Sequence, residues 1–154
     1  MIVQIEEMPK QRIAYIRQVG PYGLQNKSTM ERLKNWAASE HLFSGPAIIL
    51  GIAHDDPEIT LPEQCRYDVC IVIPHHYKIQ EVDRDIQETE LSGGKYAVFP
   101  IEHTVEALQK AWADIFPELS SRGHQIDTTR ALLERYIPDM LQNNLCEICV
   151  PILG

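Results

Sequence analysis

A carboxylate stands in the middle of a short apolar run, Ala131-Leu132-Leu133-Glu134-Arg135-Tyr136-Ile137-Pro138. Read as a strand, its period of two puts Leu132, Glu134 and Tyr136 on one face and Ala131, Leu133 and Arg135 on the other. An acid beside leucine on its own face is costly unless it meets a partner. Two kinds of partner fit. An arginine of a neighbouring strand would make an ion pair, and a ligand would make Glu134 a recessed acid.

Other residues that could do chemistry are sparse. Cys146-Glu147-Ile148-Cys149 has the C-x-x-C spacing of redox and zinc sites. It falls in a run that looks like a strand, where positions three apart face opposite ways. Pro151 also arrives too soon for the helix that a thioredoxin-like site needs. Cys65 and Cys70 sit five apart on another apparent strand, so a four-cysteine zinc site is not expected. All four cysteines are expected reduced and mostly buried. His75-His76 follows Pro74 in a polar stretch with no third ligand, so no metal and no cofactor is expected. Asp68 suits an ion pair with Arg17 or Arg66, and Glu147 one with Arg135. No Ser-His-Asp or Cys-His set is apparent.

The chain has 154 residues, 44% of them hydrophobic, with a formal net charge of −8. That is one ordinary domain, or two small fused halves, with enough apolar material for a core. No Lys/Arg cluster exists, which argues against direct nucleic-acid binding through phosphates. An acidic balance suits cationic ligands or basic protein partners. The N-terminus, Met1-Ile2-Val3-Gln4-Ile5-Glu6-Glu7, shows neither a signal peptide nor a membrane span, so a cytoplasmic location and no membrane partner are expected.

The elements that must position Glu134 come in two similar sets. Ile2 to Ile5 and Arg12 to Arg17 read as strands about a Met8-Pro9-Lys10 turn. A helix from about Leu24 to Ser39 carries Met30, Leu33, Trp36 and Ala37 as its apolar stripe. Ser44-Gly45-Pro46 separates it from a buried strand, Ala47 to Ala53, and Arg66 to Ile73 follows as another. His75 to Asp85 reads as a loop. The second set starts with Gln87 to Leu91, a Ser92-Gly93-Gly94 turn and Lys95 to Phe99. Thr104 offers a helix N-cap, with Glu106 in the first turn. Val105, Leu108, Ala111, Trp112 and Ile115 form the stripe, and Pro117 is expected to stop the helix. The Glu134 strand, a turn from Pro138 to Asn144 and a last strand, Leu145 to Leu153, close the chain.

Each set reads ββ-α-ββ. Asp68-Val69-Cys70-Ile71-Val72 parallels Glu147-Ile148-Cys149-Val150-Pro151, and Leu50-Gly51-Ile52 parallels Leu133-Glu134-Arg135. The chain is therefore read as a duplication, about 1–80 and 81–154, within one domain spanning 1–154. The second copy has a glutamate where the first has a glycine, which packing does not explain. A junction of two similar halves is a common place for a ligand groove.

Five segments resemble the GyrI-like small-molecule-binding family, in order and spacing. They are Ile13-Ala14-Tyr15-Ile16-Arg17-Gln18-Val19-Gly20-Pro21-Tyr22, Cys65-Arg66-Tyr67-Asp68-Val69-Cys70, Gly93-Gly94-Lys95-Tyr96-Ala97-Val98-Phe99, Leu133-Glu134-Arg135-Tyr136 and Ile148-Cys149-Val150-Pro151-Ile152. The family includes effector-binding domains of multidrug-responsive transcription activators and the stand-alone DNA gyrase inhibitory protein. The resemblance implies an α+β fold: duplicated β-α-β-β units forming one curved antiparallel sheet, two helices on one side and a central ligand groove. It also implies that Glu134 floors the ligand site, with Tyr96, Trp112 and Tyr136 as the aromatics around it. A carboxylate in a low-dielectric pocket selects cations, and aromatic faces add about 0.5–2 kcal/mol each. Tyr136 shares Glu134's face by alternation. Tyr96 would otherwise be a half-buried sheet tyrosine, and Trp112 a core residue of its helix. No helix-turn-helix precedes the first strand, so a free-standing member is expected.

The expected function is binding rather than catalysis: capture of an amphipathic, cationic small molecule above Glu134, for sequestration or sensing. One alternative is a hydrolase of reactive electrophiles in which Glu134 orients water as the general base. The other is a gyrase-inhibitor-type interaction module that meets DNA gyrase or another basic protein through an acidic surface such as Asp55, Asp56 and Glu58.

Overall fold

Eight antiparallel strands of one sheet and two long helices account for nearly all the regular structure. The computed structural model describes residues 1–43, 47–80 and 83–154, so the Ser44-Gly45-Pro46 break and part of the His75–Asp85 loop lie outside the described residues. The strands are β1 (Gln4–Met8), β2 (Gln11–Val19), β3 (Ile49–Ala53), β4 (Arg66–Ile73), β5 (Gln87–Leu91), β6 (Gly94–Glu102), β7 (Leu133–Tyr136) and β8 (Leu145–Pro151). The helices among the described residues are α1 (Leu24–Ser39), α2 (Val105–Ser121) and the short α3 (Pro138–Gln142), with a 3-10 turn at Pro62–Gln64. The fold class is α+β.

The chain divides into two compact units, Met1–Pro9 with Ser92–Gly154 (unit 1) and Lys10–Leu91 (unit 2). Unit 1 carries β1-β6-β8-β7 and unit 2 carries β5-β2-β4-β3. The first strand of each copy is thus exchanged. β1 pairs with β6 (Gln4 opposite Val98), and β5 pairs with β2 (Gln87 opposite Tyr15). The Met8-Pro9-Lys10 and Ser92-Gly93-Gly94 turns therefore join strands of different units rather than closing hairpins. Gly93 marks how closely the chain passes itself here. It has φ +74°, and a Cβ on it would stand 2.5 Å from the Met8 carbonyl oxygen.

The strands of the two units can be matched by register. Arg17 lies opposite Asp68 in unit 2 and Pro100 opposite Glu147 in unit 1. On the inner strands Gly51 lies opposite Val69, and Glu134 opposite Ile148. Glu134 and Gly51 are therefore equivalent positions.

The helices form for local reasons and are held by packing. Thr104 caps α2, its hydroxyl accepting from the Ala107 N–H at 3.1 Å. In α2 Ala111, Ile115 and Leu119 recur every four residues, are buried, and meet Ala97, Phe99 and Ile101 of β6 and Cys146, Ile148 and Val150 of β8. Each such aliphatic or aromatic side chain contributes about 1.5–3 kcal/mol by burial. Pro117 does not stop the helix, which runs on to Ser121. A proline costs α2 one hydrogen bond, and the fully buried Leu119 two residues later supplies the packing that carries the helix past it. The Pro138–Asn144 segment, expected as a turn, makes α3. Proline at a first helical position has no N–H to leave unpaired, so it suits that start.

The ion pairs make an acid-stability prediction. Asp55, hydrogen-bonded by Arg66, and Asp127, hydrogen-bonded by Thr129 and Arg130, are both held at about 2 against an ordinary 3.8. Glu6 and Glu88 are lowered by hydrogen bonds from Arg135 and Arg12. A depressed carboxyl contributes stability above its unfolded pKa and loses it as pH falls through the folded one. Urea midpoints are therefore expected to be level from about pH 7 to 5 and to fall steeply from about pH 4 to 2.

Candidate functional site

All four aromatic and acidic candidates belong to unit 1, but the sheet sorts them to two faces. Residues opposite one another in an antiparallel pair share a face. Glu134 lies opposite Ile148, and Ile148 opposite Phe99. Ile148 and Phe99 belong to the core under α2, so Glu134 is on the α2 side of the sheet. Tyr136 and Trp112 pack against that same core, and Leu108 joins them. The structure thus puts Glu134, Tyr136 and Trp112 on the α2 side of the sheet.

Tyr96 is on the other side. It lies opposite Pro151, in step with Val98 rather than with Phe99. It is only 3% exposed, its hydroxyl donates to the Ala131 carbonyl at 3.2 Å, and the Arg130 guanidinium sits 5.0 Å above its ring. Burial raises its phenol above the ordinary range. Its neighbours make Tyr96 part of the fabric around Arg130, away from Glu134.

Around Glu134 the contacts are specific. The Tyr136 hydroxyl donates to a Glu134 carboxylate oxygen. The two side chains are two residues apart on β7, so alternation alone brings them to one face. The His103 ring lies 5.5 Å from the Tyr136 ring, tilted by 57°. His103 comes just before the α2 cap, and sequence reasoning used that region only for its helix start. Trp112 stacks on Phe116 at 6.3 Å. The Cys146 thiol is pushed up to about 11, first by burial and then by the negative charge of Glu134, so it stays protonated. The Glu134 carboxylate is thus met by the Tyr136 phenol, which the His103 imidazole adjoins, and Trp112 packs on the core of the same side. Such a set suits a positively charged, partly aromatic guest.

On the opposite face of unit 1, Arg135 joins two carboxylates. Arg135 donates to Glu147 at 2.8 Å and, through both terminal nitrogens, to Glu6 at 2.9 and 3.0 Å. Arg130 donates to the carbonyls of Gly93, Lys95 and Ile152, at 2.9 to 3.0 Å, and to Asp127. Arg130 carries no motif, and nothing in its sequence neighbourhood marked it as the tie between these segments.

In unit 2 Asp68 is paired twice. Arg17 grips both its oxygens at 2.8 and 2.9 Å, and His54 Nε2 lies 2.6 Å away. The Arg17 pair matches the sequence expectation, while Arg66 pairs with Asp55 instead, at 3.0 Å. Asp55, one of the acids expected on an interaction surface, is thus neutralised by a neighbour. Cys65, Cys70, Cys146 and Cys149 are all unbridged and buried. Among the described residues no cluster of three or more metal-ligating side chains occurs, and no helix is long and apolar enough to cross a membrane.

The GyrI-like small molecule binding domain profile matches residues 1–153. The chain belongs to the GyrI-like family. Among its relatives is YosT, an SPbeta prophage-derived protein of Bacillus subtilis (strain 168) named as a transcriptional regulator, 45% identical over 158 residues and covering 99% of each chain. The DNA gyrase inhibitor of Escherichia coli (strain K12) is 27% identical over 119 residues, covering 77% of this chain and 74% of that one. Among solved structures, SAV2435 bound to tetraphenylphosphonium aligns with a TM-score of 0.58 at 14% identity, covering 100% of this chain and 95% of that one. At that identity the likeness is one of fold. This GyrI-like chain is a small-molecule-binding domain in family and fold.

Proposed function

We propose that this GyrI-like domain captures amphipathic organic cations, with Glu134 as the counter-charge and Tyr136 and Trp112 as the aromatic walls. The observation that carries the reading is Glu134 itself, a carboxylate on the helix side of a core strand where the equivalent position of the other copy is Gly51. The Tyr136 hydroxyl holds its carboxylate in place. A cation laid against it gains Coulomb energy in poorly solvated surroundings, and the aromatic faces add to that gain. The solved relative that carries tetraphenylphosphonium supports this guest class. The proposed setting is cytoplasmic sequestration or sensing.

Glu134→Gln keeps the size and most hydrogen bonding of the side chain. It is expected to weaken tetraphenylphosphonium binding more than tenfold, on the order of 1.5–3 kcal/mol, in isothermal titration calorimetry. Triphenylphosphine oxide, similar in shape and uncharged, should bind wild type and variant alike. Equal binding of the cation by both proteins would sink the reading. Consumption of a reactive electrophile by wild type and not by the variant would instead favour Glu134 as a base that orients water.

A second reading, a protein-interaction module, draws on the DNA gyrase inhibitor relative. Its surface would use Asp56 and Glu58 more than Asp55, whose charge Arg66 already meets. Co-sedimentation with purified gyrase that survives Glu134→Gln and is lost in Asp56→Asn/Glu58→Gln is its expected signature.

A further inference from the structure

Unit 2 holds a hollow of about 240 Å³ beside α1, remote in sequence from every residue assigned above. Ile16, Trp36 and Ile86 supply apolar walls, and Arg32, Arg84, Asp83 and Asp85 supply charge. The two copies of the fold make a comparison possible. In α1 the buried row is Thr29, Leu33 and Ala37, spaced by four like Ala111, Ile115 and Leu119 of α2. Matching these rows sets Arg32 where α2 has Asp114, and Trp36 where α2 has Glu118. In α2 those two acids are answered within the helix, Asp114 by Lys110 at 3.7 Å and Glu118 by Arg122 at 2.9 Å. In α1 the same flank carries a guanidinium and an indole beside a hollow.

The charges there are loosely used. Arg32 reaches Asp85 only at 3.5 Å, with the two side chains 51% and 80% exposed. The side chains of Arg84 and Asp83 pair with nothing among the described residues. The indole is fixed from behind. Tyr77 stands edge-on to Trp36 at 6.1 Å and donates its own hydroxyl to Glu40 at 2.5 Å. A fixed aromatic wall with both signs of charge at its rim matches a guest that is flat, small and carries both charges.

We propose that this hollow is a second small-molecule site, for a zwitterionic aromatic compound of the aromatic amino acid class. Its ring lies against Trp36, its carboxylate meets Arg84 and Arg32, and its ammonium group meets Asp83 and Asp85. The site is independent of Glu134 in place and in charge preference.

The chain has two tryptophans, Trp36 in α1 and Trp112 in α2, so each reports on its own unit. L-Phenylalanine is titrated against Trp112→Phe, in which Trp36 is the sole tryptophan, and against Trp36→Phe. A saturable emission change is expected in the first protein, with a Kd below about 10 mM, and none in the second. Benzoate and benzylamine, each with one of the two charges, are expected to bind at least tenfold more weakly. Arg32→Ala/Arg84→Ala, at exposed positions, should lose at least tenfold, and Glu134→Gln should change nothing. As a check free of tryptophan substitution, wild type labelled with 5-fluorotryptophan should show one of its two fluorine resonances move. No saturable response at Trp36 overturns the proposal, as does a response at Trp112 alone. Equal binding of benzoate and benzylamine, or an unaltered response in the arginine variant, overturns it as well.

Discussion

Arg135→Ala is expected to cost about 3–5 kcal/mol of folding stability, the range for removing one member of a buried ion pair. The Arg135 side chain is 13% exposed and that of Glu147 is 9% exposed. Burial alone would lower the guanidinium, but its hydrogen bonds to Glu6 and Glu147 outweigh that and hold it above the ordinary range. Without Arg135 the Glu147 carboxylate is left charged among buried neighbours, whereas Glu6, more exposed, can turn to water. A companion result separates charge from packing. Arg135→Met/Glu147→Leu should recover most of the loss, because neither charge is then stranded. Urea denaturation of the three proteins at neutral pH measures both. A loss under about 1 kcal/mol would place Arg135 among solvated surface pairs.

Gly93→Ala should be nearly as damaging, for a reason of backbone space. A Cβ at Gly93 would stand 2.5 Å from the Met8 oxygen and 2.7 Å from the Pro9 carbonyl carbon, both main-chain atoms. The residue is also in the left-handed region, which alone costs an alanine about 1–2 kcal/mol. Gly123 gives the control. It has φ +82°, and a Cβ there would meet nothing within 4 Å. Gly123→Ala is expected to cost about 1 kcal/mol, and Gly93→Ala about 3 kcal/mol or more, the difference being the clash. Thermal melts of both variants test the ordering. If the two lose equally, β1 does not crowd Gly93.

The long helices and the strand that carries Glu134 were legible in the sequence because each rests on local pattern. α1 falls at Leu24–Ser39 as its stripe predicts, and Thr104 caps α2. Glu134 and Tyr136 meet because they are two apart on a strand. What escaped depends on which strand lies beside which. Tyr96 looked equivalent to the other aromatics until the β6–β8 register put it in step with Val98. The exchange of β1 and β5 escaped because a turn sequence such as Met8-Pro9-Lys10 says where a chain bends and not whether the flanking strands pair. Arg130 and His54 escaped because their partners, Gly93 and Asp68, lie 37 and 14 residues away. Pro117 misled in the opposite direction, a local rule overruled by the burial of Leu119.

The exchange of first strands sets a timetable for synthesis. Gln4 finds its partner in Val98, and Met8 finds its partner in Gly94. At roughly 5–20 residues per second, β1 leaves the ribosome about 5–20 seconds before β6 exists to receive it. The Lys10–Leu91 unit has all four of its strands synthesised by then, since β5 ends at Leu91. The nascent chain can therefore complete its middle while its opening strand trails unpaired, an edge with Ile2 75% and Ile5 47% exposed even in the finished fold. Joining Met1–Pro9 after Gly154 would move that strand to the end of the queue, so that it emerges only after β6 and waits for nothing.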